Sequence, residues 1–572
     1  MTATATSCFR PGAVDLPAFD RMLGDPSDPG SPLSYARGAE LDRAEEFPDD
    51  MCRELDRLGL PGMYVPVEHG GALARYDELV AALRLVARRD LTVAIGHGKT
   101  FLGGVCVWLA GDPGQAAALG ADIVAGRPVA WGLTERGHGS DLLASEVTAA
   151  ETAGGYRVSG EKWLINNATR GTLACLLVRT RPEGGPRGFS LLLADKRRIP
   201  RDRYRHLPKV RTHGIRGADI SGIGLDDCPV PSGALVGEPG GGIETVLRAL
   251  QITRTACTAL SLGAADQALR LAADFAGRRE LYGRTLIRLP HVRRTLGEAH
   301  AALFSAEIVS VVAARALHTL PAEMSVLSAV AKSYVPTRVD KIIEACGELL
   351  GARAFLTGAH EHGAFQKLER DHRVVGIFDG STFVNQHVLI SHFQALVRGH
   401  RDGTADEDGI AAAADLSAPL PPARLDRLTL LARNGCGLTQ NLRAAVRELR
   451  ARAAAGRATP AVAELAEELA ERCDRLHGEL AKSPPASQYV QPEAFELARQ
   501  YEMCVAGASA IRVWLHDRGS GRGDLWLEAC LVYVLRALRP SSRTADDDVF
   551  DRLFDALSAG RPVAPPTTEG VR

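Results

Sequence analysis

Leu133-Thr134-Glu135-Arg136-Gly137-His138-Gly139-Ser140-Asp141, followed by Gly155-Tyr156-Arg157-Val158-Ser159-Gly160-Glu161-Lys162-Trp163-Leu164-Ile165-Asn166-Asn167, decides how the rest of the chain is read. The first stretch is a glycine-interrupted polar loop, whose backbone can approach a planar or phosphorylated ligand closely. The second reads as a β-hairpin with a polar patch at its end. Around them, from Val129 to about Gly237, short alternating runs are separated by turn residues, which predicts an antiparallel β-domain.

On either side the pattern turns helical. Upstream, Leu55, Leu58 and Leu60 follow a run of carboxylates, and Leu79 to Val86 keeps helical spacing. Downstream, helical periodicity runs from Ile243 to about His400. Asp402 to Pro422, rich in Gly, Asp, Ala and Pro, reads as a linker. Leu425 to Leu449 and Thr459 to Leu480 read as helices, with Thr459-Pro460 as N-cap and first helical residue. The expected order is a helical domain over 1–128, the β-domain over 129–237 and a helical bundle over 238–400. A linker over 401–424, a further helical domain over 425–560 and a disordered tail over 561–572 follow.

A chain of 572 residues exceeds what one core organises, and 45% hydrophobic with 24% charged residues is an ordinary globular balance. The formal net charge of −1 supplies no field for nucleic acid or anionic lipid, so neither is expected as a partner. No transmembrane segment is expected, since the apolar run Leu173 to Val178 is too short to span a bilayer. The start MTATATSCFRPG lacks a charged segment followed by an apolar run. The eleven cysteines form no CxxC pair, which fits buried thiols in the cytoplasm rather than a disulfide frame or a metal site.

The TE–x–GSD and GYxxxGxKxxIxN order resembles the middle domain of the acyl-CoA dehydrogenase family. Four further stretches fit in sequence order: Leu58-Gly59-Leu60 through Gly70-Gly71, Val230-Pro231 with Gly237-Glu238, Arg278 to Gly283, and Arg370-Asp371 through Ile377-Phe378-Asp379-Gly380-Ser381. The resemblance implies a mainly α fold with a central β-domain, and FAD held between the β-domain and the following helices. It implies removal of an α-proton from an acyl thioester, of coenzyme A or a carrier protein, while hydride leaves the β-carbon for flavin N5. Electrons would pass to an acceptor flavoprotein or to oxygen. Asp379 falls at the catalytic base and Arg254 at an active-site arginine. Trp131, Leu133, Thr134, Gly139, Ser140, Leu164, Asn166 and Ser381 fall at flavin contacts. Arg279, Tyr282, Glu348 and Gly351 fall where the family reaches the FAD of a neighbouring subunit, which with the C-terminal domain implies a homodimer.

Several positions depart from the family pattern. Asp379 replaces a glutamate and shortens the reach by one methylene. Leu164 stands where a tryptophan packs beside the flavin, Asn166 replaces a threonine, and Arg136 replaces the proline of TEP. Pro290 and Glu348 replace glutamines, and Ala352 replaces a glycine. An aspartate base is also what the nitroalkane-oxidising branch carries, and other relatives are N-hydroxylating monooxygenases. A flavin oxidase or monooxygenase acting at a nitro- or amine-bearing carbon is therefore the alternative activity, and a partner subunit without catalysis is the alternative class.

Three look-alikes are set aside. Gly96-His97-Gly98-Lys99-Thr100 lacks the first glycine of a phosphate-binding loop, since Val93 holds that position. His360-Glu361-His362 lacks the HExxH spacing that puts two imidazoles on one helical face. Gly240-Gly241-Gly242 reads as a hinge between domains.

Overall fold

The computed structural model describes residues 7–485, 489–517, 521–539 and 548–566. The chain divides into two compact units, residues 1–253 and 254–572.

The first unit opens with a short antiparallel strand pair, Phe9–Arg10 and Ala13–Val14, and continues with helices, among them Asp49–Arg57, Tyr76–Ala87 and Leu91–Ala110. The last begins on Asp90, whose carboxylate accepts from the Val93 amide and so satisfies a helix-end donor. Gly96 to Thr100 lies inside this helix, which removes the phosphate-loop reading. An eight-stranded sheet follows, in the order Leu235–Val236, Phe189–Asp195, Leu173–Arg179, Thr148–Thr152, Gly155–Asn166, Ile220–Pro231, Tyr204–Leu207. It is antiparallel except that Val129–Gly132 pairs in parallel with Leu173–Arg179, and Thr148 with Arg179. The parallel pair arises because Val129–Gly132 enters from the helical segment and is joined to its neighbour across the whole 133–172 excursion, not by a tight turn. Tyr156, Val158, Leu176, Val178, Leu192, Ile223 and Leu225 are among the buried residues of its core. Gly240 and Gly242 let the chain press against this sheet, since a Cβ at Gly242 would meet Ser190 and Phe189 backbone atoms within 3.0 Å.

The second unit is helical. Pro290–Thr319 packs against Met324–Leu350, and the latter against Thr382–Asp402. Pro460–Leu480, Pro492–His516, Leu525–Leu538 and Asp548–Ser558 make up the C-terminal addition. Of the face that the spacing of Leu465, Leu469, Cys473, Leu476 and Leu480 predicts, the last four are buried and Leu465 is half-buried. Asp548–Ser558 crosses Pro290–Thr319 at Gly297, where any side chain would overlap the Phe550 carbonyl.

Two stretches differ from the sequence reading. Leu425 to Leu449 is not one helix: a short turn at Leu425–Arg427 and a four-residue helix Gly437–Gln440 precede Leu442–Ala454. Within 402–422 stands an eight-residue helix, Glu407–Ala414. Its end is fastened by the fully buried Arg315, whose guanidinium donates to Ala413 O (3.1 Å), Ala412 O (2.9 Å), Asp415 O (2.6 Å) and Ala418 O (3.0 Å). The stretch is therefore packed, not a free connection. Of the expected tail 561–572, residues 567–572 lie outside the described residues.

All eleven cysteines are buried and none forms a disulfide. Leu91–Ala110 and Pro290–Thr319 are long and apolar enough to cross a bilayer by length and composition, and both are mostly buried within the fold. Among the described residues no group of three His, Cys, Asp or Glu side chains is placed to hold a metal ion.

Candidate active site

In the first unit, strand Gly155–Asn166 carries two register shifts against Ile220–Pro231, the second between Trp163 and Ile165. Leu164 is the extra residue there, with φ of +55°. A bulge re-aims a side chain, and Leu164 is 44% exposed between a half-buried Trp163 and a buried Ile165. The turn that follows is pinned from three directions. Asn167 Nδ2 donates to Gly96 O (2.9 Å), and the Asp219 carboxylate accepts from the Thr169 and Arg170 amides (3.0 Å each). Lys196 Nζ donates to Ala168 O (2.9 Å) and Thr169 O (3.1 Å), and burial lowers its pKa to about 8.

This turn carries Asn166, whose amide oxygen and nitrogen are both buried and without a hydrogen-bond partner among the described residues; the Trp131 indole Nε1 is in the same state. A buried polar atom left unpaired costs about 1–3 kcal/mol, so such atoms ask for an explanation. A donor and acceptor on Asn166 and a donor on Trp131 fit a planar ligand with mixed polar edges, which an isoalloxazine ring is. The Thr134 hydroxyl donates to Trp163 O (2.7 Å), so towards a ligand it offers an acceptor. Gly139 and Ser140 are exposed on the loop, and Arg136 lies over the Trp163 ring at 4.5 Å.

What shapes that loop is a buried ion pair the motif reading left without a role. Lys162 Nζ donates to Glu135 Oε1 (2.7 Å) and to Leu133 O (3.1 Å). The Glu135 carboxylate also accepts from the amides of Glu146 (2.7 Å) and Val147 (3.2 Å). Burial alone would raise the Glu135 pKa; Lys162 and the two amides outweigh it and hold the carboxyl below its ordinary value.

In the second unit, Asp379 and Gly380 both have left-handed backbones, φ +59° and +91°. For a non-glycine residue such a conformation costs on the order of 1–3 kcal/mol and persists only where the surroundings impose it. Here they do. Arg254 Nε donates to Asp379 O (3.3 Å), and Asn385 Nδ2 donates to Gly380 O (3.0 Å). The Cys257 thiol donates to Asp379 Oδ2 (3.8 Å). Arg254 is buried, and burial lowers its pKa despite the nearby Asp379. Ser381 caps the next helix, its Oγ accepting from Val384 N (3.3 Å). The structure thus brings Asp379 and Arg254 together, and Cys257 and Asn385 join them. A Cβ at Gly380 would stand 2.9 Å from an Arg254 guanidinium nitrogen. Gly380→Ala is therefore expected to destabilise the fold by about 1–2 kcal/mol in a urea melt from left-handed strain, with displacement of the Arg254 guanidinium adding to it.

Four expected cofactor positions lie on the outside of this unit. Tyr282, in the turn between Glu280–Leu281 and Arg284–Thr285, is 97% exposed. Arg279, Glu348 and Gly351 are exposed as well. Phe355 is 87% exposed close by in sequence, and Arg353 lies over Phe275 at 5.2 Å. His360, Glu361 and His362 form a left-handed turn, with His360 Nε2 bonded to Leu271 O (3.1 Å).

Three family models match in succession: the N-terminal domain of acyl-CoA dehydrogenase over residues 35–127, its middle domain over 130–228 and its C-terminal domain over 240–392. Human mitochondrial short-chain specific acyl-CoA dehydrogenase is 25% identical over 394 residues, which cover 68% of this chain and 92% of that protein. A probable acyl-CoA dehydrogenase of Mycobacterium tuberculosis is 24% identical over 361 residues, 63% of this chain and 90% of its own. Among solved structures, butyryl-CoA dehydrogenase of Megasphaera elsdenii shares the fold with a TM-score of 0.60 at 21% identity, over 66% of this chain and 97% of that one. An acyl-CoA dehydrogenase of Bacillus anthracis, complexed with FAD, shares it over 98% of both chains, with a TM-score of 0.67 at 17% identity. The C-terminal addition is thus part of a fold seen elsewhere. With three consecutive domain models matched in order over more than half its length, the chain belongs to the acyl-CoA dehydrogenase family of FAD-dependent oxidoreductases.

Proposed function

We propose that the protein oxidises an acyl thioester, of coenzyme A or of a carrier protein, to the α,β-unsaturated product, with Asp379 as the base. The observation that carries this reading is the Asp379 turn, a left-handed carboxylate whose backbone is gripped by Arg254 and Asn385. Such a turn spends conformational energy to fix one side chain, which is what a general base needs. FAD, when bound, supplies the hydride acceptor. Cys257 orients Asp379 by donating to Oδ2, and the carboxylate takes the α-proton of the thioester. Asn166 and Trp131 would hold the cofactor through their unpaired polar atoms, and Leu164 would give it an apolar neighbour. Arg279, Tyr282, Glu348 and Gly351 serve a second copy of the chain, a reading supported by the exposure of Tyr282 and Phe355, which a monomer leaves in water. Electrons then leave to an acceptor flavoprotein or to oxygen.

The test is anaerobic mixing of the FAD-loaded protein with a panel of acyl thioesters, nitroalkanes and amines. Loss of the oxidised-flavin absorbance with a thioester is expected. Reaction with nitroalkanes or amines alone would move the activity to the oxidase branch, and a chain that takes up no FAD would be a partner subunit.

A further inference from the structure

Lys332 lies in the middle of helix Met324–Leu350, and its side chain is fully buried. It donates to Val375 O (2.7 Å) and Gly380 O (3.2 Å), and its ammonium stands over the Phe378 ring at 5.3 Å. The two carbonyls are the two ends of the turn that carries Asp379. A cation between them draws both inward, and Gly380 O is shared with Asn385 Nδ2.

The next residue along the helix points the other way. Ser333 Oγ donates to Glu502 Oε1 (2.6 Å), and Glu502 belongs to helix Pro492–His516 of the C-terminal addition. Gln386, one residue after Asn385 on the helix that starts beyond the turn, stands beside Glu502 and opposes the effect of its burial. Burial pushes Glu502 up to about 7, with Ser333, Arg338 and Gln386 opposing the shift. A second contact joins the same helices, Phe495 meeting Phe383 edge-on at 5.9 Å. The addition therefore touches both helices that frame the turn, at the level of the turn.

We infer that Lys332 is a further positioning residue of the Asp379 turn, beside Arg254 and Asn385, and that the C-terminal addition fastens its frame through Glu502. This rests on Asp379 being the base. The addition then acts on the rate of proton removal, although it supplies no group to the substrate.

The test uses FAD-loaded full-length protein and the thioester that reacts best with the unaltered chain. Lys332→Met keeps the volume and removes the two bonds. It is expected to lower kcat about 100-fold, the cost of roughly 1 Å of misplacement, with KM within about three-fold. Glu502→Leu should lower kcat about ten-fold with the same small change in KM, and Glu502→Gln, which still accepts from Ser333, should restore it. If Lys332→Met does not fold, the Glu502 pair carries the test. A kcat within three-fold of the unaltered protein in Lys332→Met, or equal kcat in Glu502→Leu and Glu502→Gln, overturns the inference. So does a loss that appears only in KM or flavin content. If the unaltered protein reacts with no thioester, it is the activity reading that fails, and the two failures are distinct.

Discussion

Asp379→Asn is expected to slow thioester-driven flavin reduction by about 10²–10⁴-fold, the usual contribution of a positioned general base. The amide fills the same volume, can still accept from Cys257 through its oxygen, and leaves Arg254 and Asn385 their backbone acceptors. Flavin content and the binding of a product-like thioester should therefore stay within a few-fold, and the loss should fall on kcat. Rapid-mixing absorbance under anaerobic conditions measures it directly. If the variant reduces its flavin within ten-fold of the original rate, Asp379 is not the base. Asp379→Glu is a useful companion: it adds one methylene on a turn whose backbone is held, and overreach of that size is expected to cost on the order of 100-fold with the chain's own substrate.

Asp379 is legible in the sequence as a candidate because the Asp379-Gly380 pair stands in the Arg370-Asp371…Ile377-Phe378 frame, and Asp-Gly tolerates left-handed backbone. The β-domain motifs were legible for a similar reason: they are local, and alternation reports local structure. What escaped was set by contacts distant in sequence. Lys332, Glu502 and Arg315 each sit in a helical pattern where a charge normally faces water, and only tertiary packing makes them buried fasteners of carbonyls and hydroxyls. Glu407–Ala414 escaped because eight residues with a glycine and four alanines carry little apolar periodicity. Leu164 shows an intermediate case. Its departure from the family's aromatic residue is visible in the sequence, while the register shift that turns it outward is a backbone event with no residue signature.

The second large effect is expected from the other motif. Lys162→Met removes one partner of a buried ion pair and leaves Glu135 among apolar neighbours with only the Glu146 and Val147 amides. Breaking such a pair typically costs about 3–5 kcal/mol, because the remaining charge has lost its compensation. Replacing both partners by apolar residues should cost less, since no charge is then stranded. The pH dependence separates this account from simple loss of packing. In the unaltered protein the folded-state pKa of Glu135 is depressed, so its contribution is present above the unfolded value and is lost as pH falls through the folded one. Without Lys162 the upward push of burial is opposed only by the Glu146 and Val147 amides, so the folded-state pKa of Glu135 rises and its depression is lessened or lost. Its deficit relative to the unaltered protein is then greatest at neutral pH and shrinks as pH falls through the carboxylate range. Urea melts at a series of pH values measure it, and a deficit that is flat with pH would assign the effect to packing. Because Lys162 also holds Leu133 O, the same variant should lose flavin more readily, which links the loop's geometry to the cofactor it serves.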